Sequence, residues 1–422
     1  MWESITAARA YPRRGGAKAS PEPFGARLAC RIAFPPIADF ADYNSEIYAR
    51  GLGGDTPSIP VSIAELERAA AEAMDARAAA YVFAGAGSEG TIGANREAFD
   101  RRRIVPRMLR DIVSRDHSTT LLGTSMPAPL LLAPIGVQKV VHDDGELATA
   151  RAAGSLGVPM IASTVSHFSL EEIAAAGGDA PRWFQLYLPH DKELAASFLS
   201  RAEAAGYGAI VLTVDTFVPG WKPRDLQQAW VPYLHGMGVA NFFADPVFRA
   251  GLERPPEEDV GAATGHFLGI RGNPSLNWDD LEWLREQTLL PIVIKGIQHP
   301  DDAREAVQRG VDGIVVSNHG GRQVDGAIGS LDALPAIAAA AGEDLTILFD
   351  SGIRGGSDMI KALALGADAV CLGRPYIWGL ALEGQQGVET VLKTVLADFD
   401  LTMALCGYTA PDQLSPDALA EI

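Results

Sequence analysis

Residues 313–326 read GIVVSNHGGRQVDG and gather groups that can move a proton and hold an anion. His319 brings an imidazole, a side chain that can move protons near neutral pH and serve as a base. Arg322 presents a planar fork that grips a carboxylate through two hydrogen bonds. A base beside an anion clamp points to chemistry on the carbon next to a carboxylate. Gly320 and Gly321 let the backbone turn tightly and approach a ligand closely. The β-branched run Ile314, Val315, Val316 predicts a strand buried on both faces, which leaves the polar residues at its C-terminal end. A single His at a strand end is more often structural, so the reading rests on what the neighbouring strands deliver.

Those neighbours are legible as apolar runs alternating with amphipathic stretches. Strands are expected over 130–137, 159–164, 183–188, 210–215, 291–296, 313–319, 345–350 and 369–373. Helices are expected over 145–153, 170–176, 192–205, 300–309, 331–341 and 358–365. This alternation predicts an α/β fold, a (β/α)8 TIM barrel, with its site at the C-terminal strand ends. A doubly wound open sheet is the competitor, weakened because no G-x-G-x-x-G turn follows the first strand.

In chain order, the expected strand ends carry Gly136; Ser163 and Thr164; Gln185 and Tyr187; Thr213 and Asp215; Lys295; His319 and Arg322; Asp350, Gly352 and Arg354; and Gly373 and Arg374. Any one of these has a bland explanation in a turn or a surface pair. Their coincidence at one end of successive strands is what predicts a site. The segments DSGIRGG (350–356) and LGRP (372–375) pair glycines with arginines after the last two strands, where barrels commonly hold a phosphate.

The 422 residues carry a formal net charge of −18, which argues against nucleic acid or an anionic membrane surface as partner. No apolar run is long enough to span a bilayer. Cys30, Cys371 and Cys406 have no metal-site spacing, and so sparse a set fits a reducing cytoplasm. Residues 1–35 are basic and rich in Pro, Gly and Ser, which predicts a flexible arm ahead of a barrel domain over 36–422. Ser62 and Glu65 have capping-box spacing for a helix, residues 81–87 read as an aromatic and glycine-rich break, and 91–99 as a further helix. The aromatic segment 216–279, after the fourth strand, is expected to be a long loop forming a lid. The apolar stretch 392–405 is expected to pack on the barrel or on a neighbouring subunit.

SNHGGRQ, KGIQHPDDA, DSGIRGG and LGRPY resemble the FMN-dependent 2-hydroxy acid oxidases and dehydrogenases, over residues 43–407. YNSEIYARGLGG, PGWKPRDL and ADPVF look most like the lactate 2-monooxygenase branch of that family. The resemblance implies FMN, with its phosphate on Gly352, Arg354, Gly373 and Arg374 and its ring held by Ile135, Gly136, Val137, Thr164, Gln185 and Thr213. Lys295 would face the ring edge where reduced flavin gathers negative charge, and Asp350 would bind the ribityl chain. Tyr81, Tyr187 and Lys222 would touch the substrate, Arg322 would anchor its carboxylate, and Asp215 would orient His319 as the base. No metal is implied.

The implied reaction is oxidation of a small (S)-2-hydroxy acid at its α carbon, with dioxygen as acceptor and a monooxygenase outcome of carboxylic acid, carbon dioxide and water. Whether His319 removes the hydroxyl proton or the α proton stays open. An oxidase releasing keto acid and peroxide, or a dehydrogenase with another acceptor, are alternatives, and a catalytically silent flavin protein is the non-enzyme alternative. A nucleotide dehydrogenase would need a loop cysteine, whereas Cys371 falls inside the eighth strand. Gly136 stands where related oxidases usually carry Ala, and Lys222 where the family usually has a second carboxylate-binding Arg; Arg224 is a candidate to replace it. The resemblance also implies a homotetramer or homo-octamer.

Overall fold

The computed structural model describes residues 40–422. The basic arm expected over 1–35 lies outside the described residues. Eight parallel strands close into a barrel: β1 (Leu130–Leu132), β2 (Met160–Ser163), β3 (Arg182–Leu186), β4 (Ile210–Thr213), β5 (Ile292–Ile297), β6 (Gly313–Val316), β7 (Thr346–Phe349) and β8 (Ala369–Leu372). Each pairs with its sequence neighbours, and β8 closes on β1.

The strands look uniformly apolar in sequence because both of their faces are buried. Ile210, Leu212, Ile292, Ile294, Ile314 and Val316 pack outward against the helices. Leu131, Ile161, Trp183, Val211, Val293, Val315, Leu348 and Cys371 fill the interior. A hairpin of Thr119–Leu121 and Thr124–Met126 closes the N-terminal end, where Thr124 Oγ1 accepts a 2.8 Å bond from the Trp183 indole. Side chains alternate along a strand, so the residue two past each interior apolar position also faces inward. Those residues are Ala133, Ser163, Gln185, Thr213, Lys295, Ser317, Asp350 and Gly373, six of the eight polar. The polar layer of the mouth is therefore the next storey of the same register.

Four expectations are corrected. The first strand ends at Leu132, so Ile135, Gly136 and Val137 lie in the loop beyond it, where Pro134 cannot donate to the ladder and Val137 is left-handed at φ 58. Ser62 does begin a helix (Ile63–Ala73), but its side chain makes no cap bond; the capping box forms instead at Ser169 and Glu172. The segment 216–279 is not one loop. It contains short helices at Pro223–Gln228, Ala240–Phe243, Pro246–Ala250 and Val260–Ile270, and Phe242, Phe248 and Phe267 join the core. Tyr81, Val82 and Phe83 end the helix Ala76–Phe83 before the glycine break begins.

The final helix, Arg374–Leu405, packs its apolar side on the helices Gly145–Ser155 and Ile63–Ala73. Asp400 ties it to the chain ahead of the barrel: it accepts bonds from the Ala41 amide (3.0 Å) and Arg115 Nε (2.6 Å), and pairs with His117 (2.9 Å). Burial acts to raise the Asp400 pKa, but His117, Arg115 and the Ala41 amide outweigh it and bring it to about 2. The folded value lies below the unfolded one, so the stabilisation is present above the unfolded pKa and disappears as pH falls through about 2. Acid titration of unfolding free energy is expected to show this loss below about pH 4, and Asp400→Asn to flatten that limb.

Candidate active site

The C-terminal mouth holds a cavity of about 580 Å³, within the range of sites that enclose a small ligand or cofactor. Tyr81, Ile135, Gly136, Tyr187, Lys222, Lys295, His319, Arg322, Asp350, Gly352, Arg354, Gly373 and Arg374 all line it. Twelve of the thirteen sit on or beyond a strand end, and Tyr81 comes from the helix Ala76–Phe83.

His319 is positioned from several sides. Its Nδ1 lies 2.9 Å from Asp215 Oδ1. Burial acts to raise the Asp215 pKa, but His319 and Lys295 prevail and keep it below the usual carboxylate range, so Asp215 is an anion at neutral pH. An anion on Nδ1 leaves Nε2 as the nitrogen available to exchange a proton. The His319 backbone is left-handed (φ 57), followed by Gly320 (φ 65) and Gly321 (φ 77). A Cβ on Gly321 would fall 2.8 Å from the Ile92 backbone, so this turn needs glycine. Ser351 Oγ accepts from the Asn318 and Gly320 amides, and Asn318 pairs with Asn95 on the helix Gly90–Asp100.

Two arginines brace the mouth against the helix Ala76–Phe83. Arg322 Nη1 donates to the carbonyls of Tyr81 (2.7 Å) and Ala84 (2.9 Å), and its guanidinium lies 5.3 Å from the Tyr81 ring. Arg374 donates to the carbonyls of Val82, Gly320 and Ala84. A helix C-terminus leaves such carbonyls unpaired and carries partial negative charge, so it attracts both cations. Nε and Nη2 of Arg322 have no protein partner among the described residues, which leaves one edge of the fork for a carboxylate.

Lys295 is buried and held 2.8 Å from Ser317 Oγ and 3.0 Å from Asp350 Oδ2. Burial alone would lower its pKa; Asp350 and Asp215 more than offset that, and the ammonium is held charged. Arg354 and Arg374, by contrast, have no carboxylate partner among the described residues. Burial, with Arg322 and Arg354 nearby, pushes the Arg374 pKa down to about 9. Burial likewise lowers Arg354, whose guanidinium stacks 4.9 Å from the Trp378 ring. Two enclosed guanidiniums at the start of the helix that begins at Arg374 and kinks at Glu383 and Gly384 form an anion site with no carboxylate partner among the described residues. A phosphate fits that donor set.

The remaining predicted residues stand behind the cavity wall. Thr164 Oγ1 donates to the Gln185 carbonyl and accepts from the Tyr187 amide, so it braces the strand ends. Gln185 Oε1 accepts from Ser163 Oγ and the Thr164 amide, while Gln185 Nε2 and Thr213 Oγ1 are buried without a partner. Unpaired polar atoms at this depth fit a ligand that supplies their partners. Val137 is buried and does not line the cavity. Gly136 has a packing reason: a Cβ there would lie 2.6 Å from the Val165 carbonyl oxygen. Its missing methyl therefore leaves no void.

Arg224 does not substitute for an arginine at 222. It is half-exposed and paired with Glu89, outside the cavity. Lining residues that depend on how segment 216–279 folds back escaped the sequence reading, among them Asp225, Tyr233 and Arg271.

Three comparisons fit this geometry. Residues 70–421 match the model of the FMN-dependent dehydrogenase family. This chain belongs to that family, and it is an FMN-dependent oxidoreductase. It is 48% identical to an L-lactate oxidase of Lysinibacillus sphaericus, over 84% of this chain and 91% of the relative. It is 43% identical to an FMN-dependent alpha-hydroxy acid dehydrogenase of Penicillium citrinum, over 92% of this chain and 97% of the relative. A mandelate oxidase structure with (S)-4-hydroxymandelic acid superposes at TM-score 0.76, with 39% identity, 86% coverage of this chain and 98% of that one. No helix among the described residues is long and apolar enough to cross a membrane.

Gly136→Ala is expected to force the 163–166 segment aside at a cost of about 1–3 kcal/mol. The variant should retain less FMN after gel filtration and melt at a lower temperature than the parent.

Proposed function

We propose that the protein oxidises a small (S)-2-hydroxy acid at its α carbon, with His319 as the base and dioxygen as the acceptor. The observation that carries this reading is that His319, held from behind by Asp215, lines the same cavity as Arg322 with its open edge. FMN supplies the two-electron acceptor. Gly352, Arg354, Gly373 and Arg374 would hold its phosphate, and Ile135, Gly136, Gln185 and Thr213 its ring, with Val137 and Thr164 backing them and Asp350 beside the ribityl chain.

Arg322 would bind the substrate carboxylate through Nε and Nη2, with Tyr81 and Tyr187 closing around it. Burial raises the pKa of both tyrosines, so each is a neutral phenol able to donate a hydrogen bond. Forming C2=O from C2–OH releases two electrons and two protons. His319 Nε2 takes the hydroxyl proton if the α hydrogen leaves with its electron pair, or the α proton if the electrons follow; the base sits in the same place for both. Asp215 stabilises the imidazolium that results. Lys295 offers a fixed cation where negative charge would collect on the reduced cofactor.

A lactate-monooxygenase-like outcome is supported by PGWKPRDL and ADPVF rather than by spare volume at Gly136. The oxidase outcome is favoured by the identity to an L-lactate oxidase. Product analysis under oxygen separates carboxylic acid plus carbon dioxide from keto acid plus peroxide. A homotetramer or homo-octamer in the cytoplasm completes the proposal.

The test is anaerobic mixing of the holoprotein with (S)-2-hydroxy acids while flavin absorbance is followed. At least one acid is expected to bleach it. His319→Ala should slow bleaching by about 10²- to 10⁴-fold, and Arg322→Leu should weaken acid binding by about 10- to 100-fold. Unchanged bleaching in His319→Ala would sink the assignment of the base.

A further inference from the structure

Arg271 follows the helix Val260–Ile270 and returns the chain to the cavity, where it lines the wall with Lys222, Asp225 and Tyr233. Its guanidinium stacks 5.2 Å from the Tyr233 ring centre. Among the described residues it has no side-chain hydrogen bond and no carboxylate partner. Among the described residues, Lys222 Nζ donates only to the Gly220 carbonyl, at 3.3 Å. Enclosure, together with Arg322 and Arg271, holds the Lys222 ammonium below its usual pKa.

The charge count at this end of the cavity is uneven. Arg322, Lys222 and Arg271 are three of the cations that line it, while the acids among the described lining residues are Asp225 and Asp350, and Asp350 is already paired with Lys295. A monocarboxylate on Arg322 would leave two cations facing a single carboxylate. Burial raises the Asp225 pKa and weakens even that compensation. Enclosed positive charge is stable only when paired, and a guanidinium held flat against an aromatic ring keeps its edge free for a planar anion. Apolar Phe217, Leu226 and Leu268 lie around these groups, which suits a short methylene spacer.

We infer that Arg271, with Lys222, selects a 2-hydroxy acid bearing a second carboxylate at the end of its side chain: a 2-hydroxy dicarboxylate. This rests on the reading of the site as a 2-hydroxy acid oxidoreductase. Arg322 takes the carboxylate next to the reacting carbon. Lys222 takes the place of a second clamp with a compact charge, and Arg271 receives the distal carboxylate.

The test compares matched acids of equal chain length in anaerobic flavin reduction: (S)-malate against (S)-2-hydroxybutyrate, and (S)-2-hydroxyglutarate against (S)-2-hydroxyvalerate. The dicarboxylate of each pair should show the lower Kd, by about 10- to 100-fold, the range a charge-assisted hydrogen bond supplies. Arg271→Gln should erase that ratio and Arg271→Lys restore part of it. A second readout uses glutarate and butyrate, which have no hydroxyl to oxidise: glutarate should perturb the flavin spectrum at lower concentration, and Arg271→Gln should abolish the difference. If the monocarboxylates bleach the flavin as tightly as the dicarboxylates, or Arg271→Gln weakens both alike, this inference is overturned and the hydroxy-acid reading stands. If neither class bleaches it, both fall together.

Discussion

The mouth of the barrel encloses more positive charge than the protein neutralises, and the site is organised by that imbalance. Lys295 is matched by Asp350. Arg354, Arg374, Arg322, Lys222 and Arg271 have no ion-pair partner among the described residues, and of these Arg322 and Arg374 are held instead by helix-end carbonyls. Carbonyl dipoles position a guanidinium without cancelling its charge. The fold thus fixes the cations in place and leaves the compensating anions to come from outside. One anion position lies at Arg354 and Arg374 beside the helix start at Arg374 and another at the open edge of Arg322 beside His319, with Lys222 and Arg271 carrying the inferred third.

The scaffold makes this arrangement rigid. Interior apolar residues fill the barrel up to the level of Val211, Val293 and Val315. Most of the next inward residues are polar because they have passed the packed layer and meet the mouth. Thr164, Ser351 and Asn318 spend their hydrogen bonds on loop backbones, so the strand ends cannot drift. The proton transfer proposed for His319 would need it placed to a fraction of an ångström, and Asp215 together with the left-handed turn at His319 fixes its position.

The eight strands, their order and most of the site were legible from local runs and from the motifs at their ends. The alternation of inner and outer faces was not, because both faces of these strands are apolar. Ser62 and Glu65 had the spacing of a capping box without forming one, whereas Ser169 and Glu172 formed one unnoticed. Segment 216–279 was the least legible. Apart from Val260–Ile270, its helices are only a few residues long, and two of its helices are started by aspartate caps, Asp245 and Asp259. Tertiary packing of Phe242, Phe248 and Phe267 stabilises them rather than propensity. Arg271 could be assigned to the cavity only once that packing was known. Gly136 carried a motif signal, but its close approach to Val165 is a backbone fact that no spacing reveals.

The central claim is that the barrel mouth is an anion-demanding site. The most direct measurement is the affinity of apoprotein for FMN against riboflavin, followed by fluorescence quenching. FMN is expected to bind about 100-fold or more tightly than riboflavin, with Arg354→Gln reducing that ratio sharply. Equal affinity for the two flavins would show that the enclosed guanidiniums do not demand an anion, and would contradict the account.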